Sequence, residues 1–315
     1  MTKPIRFGVQ TPQQHTTWDE LRETWKLLDE LAYDTAWTFD HFFPIMSDPT
    51  GPCFEGWMLL AALAAEAPSV KAGVLVTGNT YRHPAVLAKM GATLDHTSGG
   101  RSIMGLGAAW FEMEHASYGI PFYTTAERIR RCDEAAEIIK RLWTDPKVSF
   151  EGRYYQVKDA YCEPKPVQKP RPPLMMGGSG EKLMLRVVAK HADEWNTFGP
   201  PALFRHKLNV LGEHCASVGR SLDEIEVSWA GFMLVTDSKE EREAAVRLMA
   251  EAFGQPPENV EPGLLVGPPG EIRDRIHALV EVGVTHFISI ANAPFNHVSL
   301  RRFAEEVIPE FRSQF

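Results

Sequence analysis

The residue pair with the clearest chemical potential is Asp40-His41, which directly follows a short apolar run, Ala36 to Phe39. A histidine titrates near neutral pH, so it can transfer protons or hydrogen-bond a polar ring. A loop Asp-His pair can equally do no more than cap nearby backbone groups. The position directly after a predicted strand leaves both interpretations open.

A glycine-rich segment, Gly177-Gly178-Ser179-Gly180, lies between a later apolar run and a helical pattern. Backbone N–H groups in such a loop, with the positive end of a helix dipole behind them, bind phosphate. A tight turn that needs glycine dihedrals is the alternative. Because phosphate sites recur after the late strands of α/β barrels, we expect phosphate binding at Gly177, Gly178 and Ser179.

Further candidates lie in or after other predicted strands. Small, polar or aromatic residues of this kind are Thr77, Asn79, Gly107, Ala108, Trp110 and Trp195. The Trp195 indole could pack against a bound ring or fill the core. Gly105-Leu106-Gly107 lacks the third glycine of a dinucleotide fingerprint, which argues against that motif.

The elements that must position these residues alternate regularly along the chain. The predicted strands are Ile5–Val9, Ala36–Phe39, Lys71–Thr77, Arg101–Gly107, Leu174–Met176, Glu194–Phe198, Glu226–Thr236 and Thr285–Ala291. Strands that each precede a helical pattern predict an α/β fold, a (β/α)8 TIM barrel, as a single domain over residues 1–315. An open doubly wound sheet would carry glycines after its first strand, where Gln10-Thr11-Pro12-Gln13 stands.

Two segments interrupt this alternation. Residues 147–173 contain a predicted β-hairpin with its turn at Glu151-Gly152, followed by a proline-rich connector. Residues 254–269 are a second proline-bearing insertion. Between the fourth and fifth strands, a long helix is predicted over 124–143, with Thr125 as its N-cap.

Composition excludes several classes of function. The 315 residues are 44% hydrophobic and carry a formal net charge of −8 with no basic run, which disfavours nucleic-acid binding. No apolar stretch is long enough to span a bilayer, and the N-terminal residues show no apolar signal core. Four cysteines without a CxxC pair predict free thiols in the cytoplasm and no metal site.

Two hydrolytic chemistries are alternatives for the strand ends. Asp40, Glu55 and Glu112 could supply the carboxylate pair of a glycosidase, but a sugar site would leave the glycine loop unexplained. Metal-dependent barrel hydrolases often carry His-x-His after the first strand, whereas Gln10 and Gln13 stand near His15 here.

Taken together, these motifs resemble the luciferase-like monooxygenase superfamily, in particular the branch that depends on coenzyme F420, a deazaflavin. The resemblance covers nearly the whole chain. Its motifs are Asp40-His41-Phe42, Gly73 to Thr77, Tyr81 to Pro84, Ala92 to His96, Gly105 to Trp110 and Pro173 to Gly178.

The resemblance implies roles for individual residues. His41 would lie near the redox face of the deazaflavin and handle a proton or orient substrate. A non-prolyl cis peptide would fall near Val74–Leu75 and support the central ring. Thr77 and Asn79 would line the ring or its side chain, and the phosphate would be held by Gly177, Gly178 and Ser179. Gly107, Ala108 and Trp195, which lie in or after predicted strands, are further candidates for cofactor binding.

One position departs from the similar F420-dependent sugar-phosphate dehydrogenases, which place a glutamate where this chain has Trp110. With Phe42, Phe43, Phe54 and Trp57 nearby in sequence, we expect an apolar or aromatic substrate. The hypothesis is hydride transfer between F420 and this substrate, with His41 and Asp40 at the proton-handling position and Glu55 and Trp110 on the substrate wall.

Alternatives remain open at this stage. An FMN-dependent monooxygenase of the same superfamily could hold its flavin phosphate in the same glycine loop. A barrel that binds cofactor without turnover would leave Asp40-His41 without evident purpose. Relatives are often dimers, so a homodimer acting on a small molecule is expected.

Overall fold

The computed structural model describes residues 3–312, so both ends of the domain predicted over 1–315 lie outside the described residues. The strands are β1 Arg6–Gln10, β2 Thr35–Thr38, β3 Lys71–Val74, β4 Thr77–Gly78, β5 Ser102–Gly107, β6 Val148–Glu151, β7 Gln156–Ala160, β8 Leu174–Gly177, β9 Glu194–Thr197, β10 Glu226–Val235, β11 Leu265–Gly267 and β12 His286–Ile290.

Helices fill most of the segments between these strands. They are α1 Trp18–Glu30, α2 Gly56–Glu66, α3 Pro84–Thr97, α4 Glu112–Tyr118, α5 Thr125–Thr144, α6 Met184–His191, α7 Pro201–Ser217, α8 Lys239–Phe253, α9 Pro257–Val260, α10 Pro269–Val280, α11 His297–Glu306 and α12 Ile308–Arg312. Short 3-10 turns occupy Leu222–Glu224 and Glu261–Gly263.

The strands close into a parallel barrel. Its order is β1, β2, β3, β5, β8, β9, β10 and β12, and β12 pairs with β1 to complete the circle. β4 continues the line of β3 and pairs with β5, so the third position of the barrel is built in two pieces. The predicted TIM barrel is confirmed.

Strand residues alternate between the inside of the barrel and the surrounding helices. Trp37, Ile103, Met175, Ala230 and Ile288 form a compact inner cluster. Residues of opposite parity face outward into a larger core that the strands share with the helices. This alternation decides which strand residues can reach a ligand at the C-terminal mouth.

The third strand is interrupted one residue later than the sequence indicated. The non-prolyl cis peptide joins Leu75 to Val76, not Val74 to Leu75. Val74 is still part of β3 and pairs with Thr38 of β2. The pairing resumes at Thr77, which lies opposite Leu106 of β5.

Two further local predictions were wrong in position. The N-cap of α5 is Thr124, not Thr125, because the side chain of Thr124 accepts the N–H of Glu127. In the β6–β7 hairpin, pairing continues through Glu151 opposite Gln156, so the turn is longer than Glu151-Gly152. The Glu134 carboxylate of α5 accepts three backbone N–H groups from that longer turn.

The insertions hold structure of their own. Residues 254–269 contain α9, a 3-10 turn and β11, which pairs with the C-terminal half of β10. The short helix α4 was not predicted, and it carries residues central to the mouth. Within residues 3–312, no helix has both the length and the apolar character needed to cross a membrane.

Candidate functional site

The wall of the mouth between β3 and β8 is made of glycines. A Cβ on Gly105 would lie 1.9 Å from the carbonyl oxygen of Val74, and one on Gly107 would lie 2.6 Å from Val76 Cγ2. A Cβ on Gly177 would lie 3.0 Å from the same methyl group. These glycines therefore make room for the segment around the cis peptide bond between Leu75 and Val76.

The carbonyl group of Leu75, at this cis peptide bond, accepts a side-chain hydrogen bond. Gln10 Nε2 donates to the Leu75 carbonyl oxygen at 2.6 Å, from the first strand across the barrel. Leu75 is partly exposed and packs on the inner cluster, whereas Val74 is fully buried in the outer core. Of these two predicted residues, only Leu75 has a side chain that faces the inside of the barrel.

Asp40 lies at the mouth in an ion-pair cluster. Its carboxylate accepts two hydrogen bonds from the Arg82 guanidinium, at 2.7 and 3.0 Å, and one from Gly78 N–H. The same guanidinium donates to Glu55, which is also the N-cap of α2 and accepts Met58 N–H. Arg82 thereby joins three segments at the mouth.

Charge and burial act in opposite directions within this cluster. Burial raises the pKa of the Asp40 carboxyl, and the Arg82 charge opposes that shift. For Arg82, burial disfavours the charged form, but Asp40 and Glu55 outweigh it and raise the guanidinium pKa. Arg82 therefore stays cationic, and its charge is occupied by two carboxylates.

His41 has a carboxylate partner, but the partner is not its neighbour Asp40. His41 Nδ1 lies 2.9 Å from Glu114 Oε2, a residue 73 positions further along the chain. The Glu114 side chain is fully buried, and 12% of the His41 side chain is exposed. No other residue in the described part of the chain hydrogen-bonds the His41 ring, so Nε2 is available to a ligand.

Glu114 has three further donors. Its Oε1 accepts the backbone N–H groups of Phe42 and Phe43, at 2.5 and 3.0 Å, and its Oε2 accepts the Tyr81 hydroxyl at 2.5 Å. Burial disfavours the carboxylate, but the hydrogen bonds from His41, Tyr81 and Phe43 outweigh it and lower the Glu114 pKa. Burial, together with the bond to Glu114, raises the Tyr81 pKa.

The next residue on α4 holds a second loop. His115 is buried, and its Nε2 lies 2.7 Å from the Thr80 hydroxyl while Nδ1 bonds the Phe111 carbonyl. Helix α4 thus connects the loop after β2 with the loop after β4. A single turn of helix fixes both loops beside His41.

Aromatic rings surround the His41 imidazole. The ring centres of Phe39, Trp110 and Phe111 lie 4.9, 5.6 and 5.8 Å from it. Trp110 is 56% exposed, so its indole forms an open apolar face beside the histidine. The role of Trp110 on a substrate wall stays a prediction.

The glycine loop lies after β8, as the sequence indicated. Gly178 has φ +130, a conformation that side chains rarely adopt. Ser179 is half-buried and hydrogen-bonds none of residues 3–312, which leaves its N–H and hydroxyl free for a ligand. The helix behind the loop begins at Met184 rather than at Glu181.

Trp195 supports this loop from outside the barrel. Its indole is fully buried against Phe204, and Nε1 donates to the Gly178 carbonyl at 2.8 Å. Side chains alternate along β9, so Glu194 and Asn196 face the inside of the barrel and Trp195 faces the outside. Like Val74, its side chain lies in the outer core, the second of the two placements predicted for this indole.

The remaining predicted residues lie at adjacent strand ends. Thr77 is buried and its hydroxyl accepts Trp57 Nε1–H at 3.0 Å. Asn79 is buried, and its backbone N–H donates to the Gly107 carbonyl. Ala108 is half-buried beside them. Thr77, Asn79, Gly107 and Ala108 thus form one continuous edge.

Sequence reasoning did not identify Glu114, the partner of His41. Its only signal is the acidic run Glu112-Met113-Glu114 before His115, directly after the fourth-strand glycines. Arg82 was noted only as part of a motif, and no local pattern links it to Asp40. In the described part of the chain, no three His, Cys, Asp or Glu side chains are grouped as metal ligands would be.

Comparison with known proteins places these features in context. The family model described as luciferase-like monooxygenase matches residues 2–286. An F420-dependent glucose-6-phosphate dehydrogenase of Microbacterium testaceum is 29% identical over the full length of both chains. An FMNH2-dependent dimethylsulfone monooxygenase of Pseudomonas putida is 27% identical, over 92% of this chain and 91% of that protein.

The fold also matches solved structures. The coenzyme F420-dependent tetrahydromethanopterin reductase of Methanopyrus kandleri superposes with a TM-score of 0.80 at 22% identity, covering 98% of this chain and all of that one. At this identity the likeness concerns the barrel itself.

Proposed function

Because the chain belongs to the luciferase-like monooxygenase family, we propose that it is an F420-dependent oxidoreductase acting on an apolar or aromatic small molecule. The family match confirms the family predicted from the motifs. F420 is named for the similar dehydrogenase of Microbacterium testaceum, and the motifs of the chain resemble the same branch.

The residues at the mouth fit a flat cofactor that carries a phosphate. Glycines at positions 105, 107 and 177 leave room for Val74 and Val76, whose segment is the wall proposed to support the ring. Ser179 has a free hydroxyl and a free backbone N–H for a phosphate. Leu75, Thr77, Asn79, Gly107 and Ala108 would line the ring, and Gly177 and Gly178 would flank the phosphate.

The observation that carries the proposal is the unpaired Nε2 of His41 at this mouth. When bound, F420 supplies a carbon centre that accepts or releases a hydride. In the oxidation of an alcohol, the C–H electron pair leaves as that hydride, and the hydroxyl proton passes to His41 Nε2. Reduction of the carbonyl product returns the same proton from Nε2.

The preference for an apolar substrate rests on the charges and rings near His41. Three aromatic rings lie within 5.8 Å of the imidazole, and Trp110 is open to solvent. The Arg82 guanidinium at the same mouth is occupied by Asp40 and Glu55. An anionic group such as a sugar phosphate would meet no free charge from Arg82.

An FMN-dependent monooxygenase is the second candidate. The similarity to the FMNH2-dependent enzyme of Pseudomonas putida favours it, and a Ser179 phosphate site would serve either cofactor. F420 is the first candidate because the F420-dependent dehydrogenases of Microbacterium testaceum and Kineococcus radiotolerans are similar over 100% and 98% of this chain.

The experiment is a titration of cofactor-free protein with F420 and, separately, with FMN, followed by fluorescence and calorimetry. We expect F420 to bind at micromolar concentration or tighter and FMN to bind at least about tenfold more weakly, a difference of about 1.4 kcal/mol. Ser179→Ala should weaken binding of the preferred cofactor, whereas Ser117→Ala on the exposed face of α4 should not. Preference for FMN would reject the F420 proposal and call for an oxygen-consumption assay.

A cytoplasmic homodimer is part of the same proposal. All four cysteines are free thiols, which supports a reducing compartment. Light scattering should give about twice the 35.3 kDa chain mass. A mass of one chain at micromolar concentration would reject the dimer.

A further inference from the structure

The carboxylate of Glu114 is saturated with donors. Oε1 faces two backbone N–H groups, which can only donate, and Oε2 faces the Tyr81 hydroxyl and His41 Nδ1. A protonated Glu114 would have to place its own hydrogen against one of these groups. That hydrogen could point only at Tyr81 or His41 Nδ1, and despite burial the surrounding donors lower the Glu114 pKa, so the carboxylate is ionised and accepts all four bonds.

An ionised Glu114 decides where the hydrogen of His41 lies. An acceptor at 2.9 Å from Nδ1 requires that Nδ1 carry the hydrogen. In the neutral ring, Nε2 must then hold the lone pair. A histidine with the opposite tautomer would present an N–H at Nε2 and could not accept a proton there.

We propose that Glu114 is the positioning residue of the reaction: it holds His41 in the Nδ1–H tautomer, so that Nε2 alone exchanges a proton with the substrate. This inference rests on the proposed function for its catalytic meaning. The tautomer itself is a property of the protein without cofactor and can be measured independently.

Other titratable groups around His41 are accounted for. Tyr81 donates to Glu114, and burial raises its pKa, so its hydroxyl stays protonated. Cys53 lies 3.5 Å from the His41 carbonyl oxygen, and burial raises the pKa of its thiol to about 12. The Asp40 carboxylate next in sequence is paired with Arg82. Glu114 is thus the one ionised group described above that bonds the imidazole.

A purely structural role for Glu114 would be to tie down the loop after β2 through Phe42 and Phe43. The variant Glu114→Gln separates the two roles, because its amide oxygen can still accept both backbone N–H groups. Its amide nitrogen then faces His41 and Tyr81 as a donor, so Nδ1 must accept and Nε2 must carry the hydrogen. Loop anchoring is retained while the tautomer is reversed.

The decisive measurement is the ring ¹⁵N spectrum of histidine-labelled, cofactor-free protein at alkaline pH, with His41→Gln used to assign the signal. We expect a protonated Nδ1 and an unprotonated Nε2 in the natural protein, and the reverse in Glu114→Gln. An Nε2–H tautomer in the natural protein, or no change in the variant, overturns the proposal. If the variant does not fold, the spectrum of the natural protein decides alone.

Turnover provides a second readout, with 1-phenylethanol as hydride donor and F420 as acceptor. Glu114→Gln should lower kcat about 100-fold while the KM and the F420 Kd stay within about twofold. Glu112→Gln is the matched control, since Glu112 is exposed on the same helix and makes no hydrogen bond or ion pair with the described residues. A KM effect without a kcat effect would overturn the proposal. Absence of F420 binding would reject the proposed function but leave the tautomer result standing.

Discussion

Among the residues that the structure describes, a glutamate–histidine pair lies at each end of the barrel. At the N-terminal end, His286 Nδ1 lies 2.7 Å from Glu194 Oε1, much as His41 Nδ1 lies 2.9 Å from Glu114 Oε2 at the mouth. At the bottom, however, His286 Nε2 also bonds the Thr35 hydroxyl at 2.8 Å. Both ring nitrogens of His286 are thus hydrogen-bonded within the protein, whereas Nε2 of His41 has no partner among the described residues.

The surroundings of the two carboxylates differ in the same sense. Glu194 is paired with Arg6, which also bonds Glu226, so the bottom pair belongs to a network with its own cation. Glu114 is held by backbone amides, a phenol and the His41 imidazole, and no Lys or Arg among residues 3–312 forms a salt bridge with it. The same two side chains therefore serve stability where every polar atom is paired and chemistry where one atom is left free.

The largest expected effect separates the two histidines. His41→Asn should lower kcat/KM about 1000-fold, because a general acid–base group contributes 10²–10⁴-fold, and should leave the unfolding midpoint nearly unchanged. His286→Asn should do the opposite: the asparagine amide can replace Nδ1 at either position, but at 286 the bond from Nε2 to Thr35 is lost, at a cost of about 1–3 kcal/mol of stability. Activity is measured as turnover of F420 with 1-phenylethanol, and stability is measured by urea unfolding. A large loss of specific activity in folded His286→Asn would contradict the assignment of chemistry to the mouth pair alone.

The next effect tests the network at the bottom. Glu194→Ala leaves His286 and Arg6 without their buried partner and should cost about 3 kcal/mol of unfolding free energy. Glu226→Ala is the control, because its side chain is partly exposed and the pair with Arg6 should be worth less than about 1 kcal/mol. Equal losses in the two variants would contradict the assignment of stability to the buried pair.

Acid stability should involve both ends. Burial opposes ionisation of Glu194, but His286 and Arg6 outweigh it and lower its pKa, as the donors to Glu114 lower the pKa of that residue. Each group then contributes stability above the usual glutamate pKa of about 4.3 and loses it as the pH falls through the lower folded value. Urea midpoints should drop between about pH 5 and pH 3. Glu194→Gln and Glu114→Gln should each flatten this decline; an unchanged decline in either would exclude its carboxyl.

The smallest effect concerns one donor at the mouth. Tyr81→Phe removes one of the four hydrogen bonds to Glu114 but leaves the carboxylate and the His41 tautomer in place. We expect a loss of about 1 kcal/mol in stability and a fall in kcat of about threefold. A fall as large as that of Glu114→Gln would mean that Tyr81, not Glu114, sets the state of His41.

The sequence predicted the parts of this arrangement that depend on local order. Strand and helix periodicity placed His41, Asn79 and Gly177 at strand ends, and the barrel topology brought those ends together. The role of Glu114 was not predicted because its seven-residue helix is too short to show a periodic pattern, and its partner His41 lies 73 residues away. The placement of Trp195 stayed open because a tryptophan suits a cofactor and a core equally, and only strand parity distinguishes them.

Glu114 grips the loop after β2 by the main-chain amides of Phe42 and Phe43 rather than by their rings. Every amino acid except proline supplies such an amide. The two backbone hydrogen bonds to Glu114 therefore do not depend on which side chains stand at these positions. Residues 42 and 43 can reshape the entrance for new molecules while the proton-handling pair is inherited intact, so a library randomised there should yield altered selectivity with conserved chemistry.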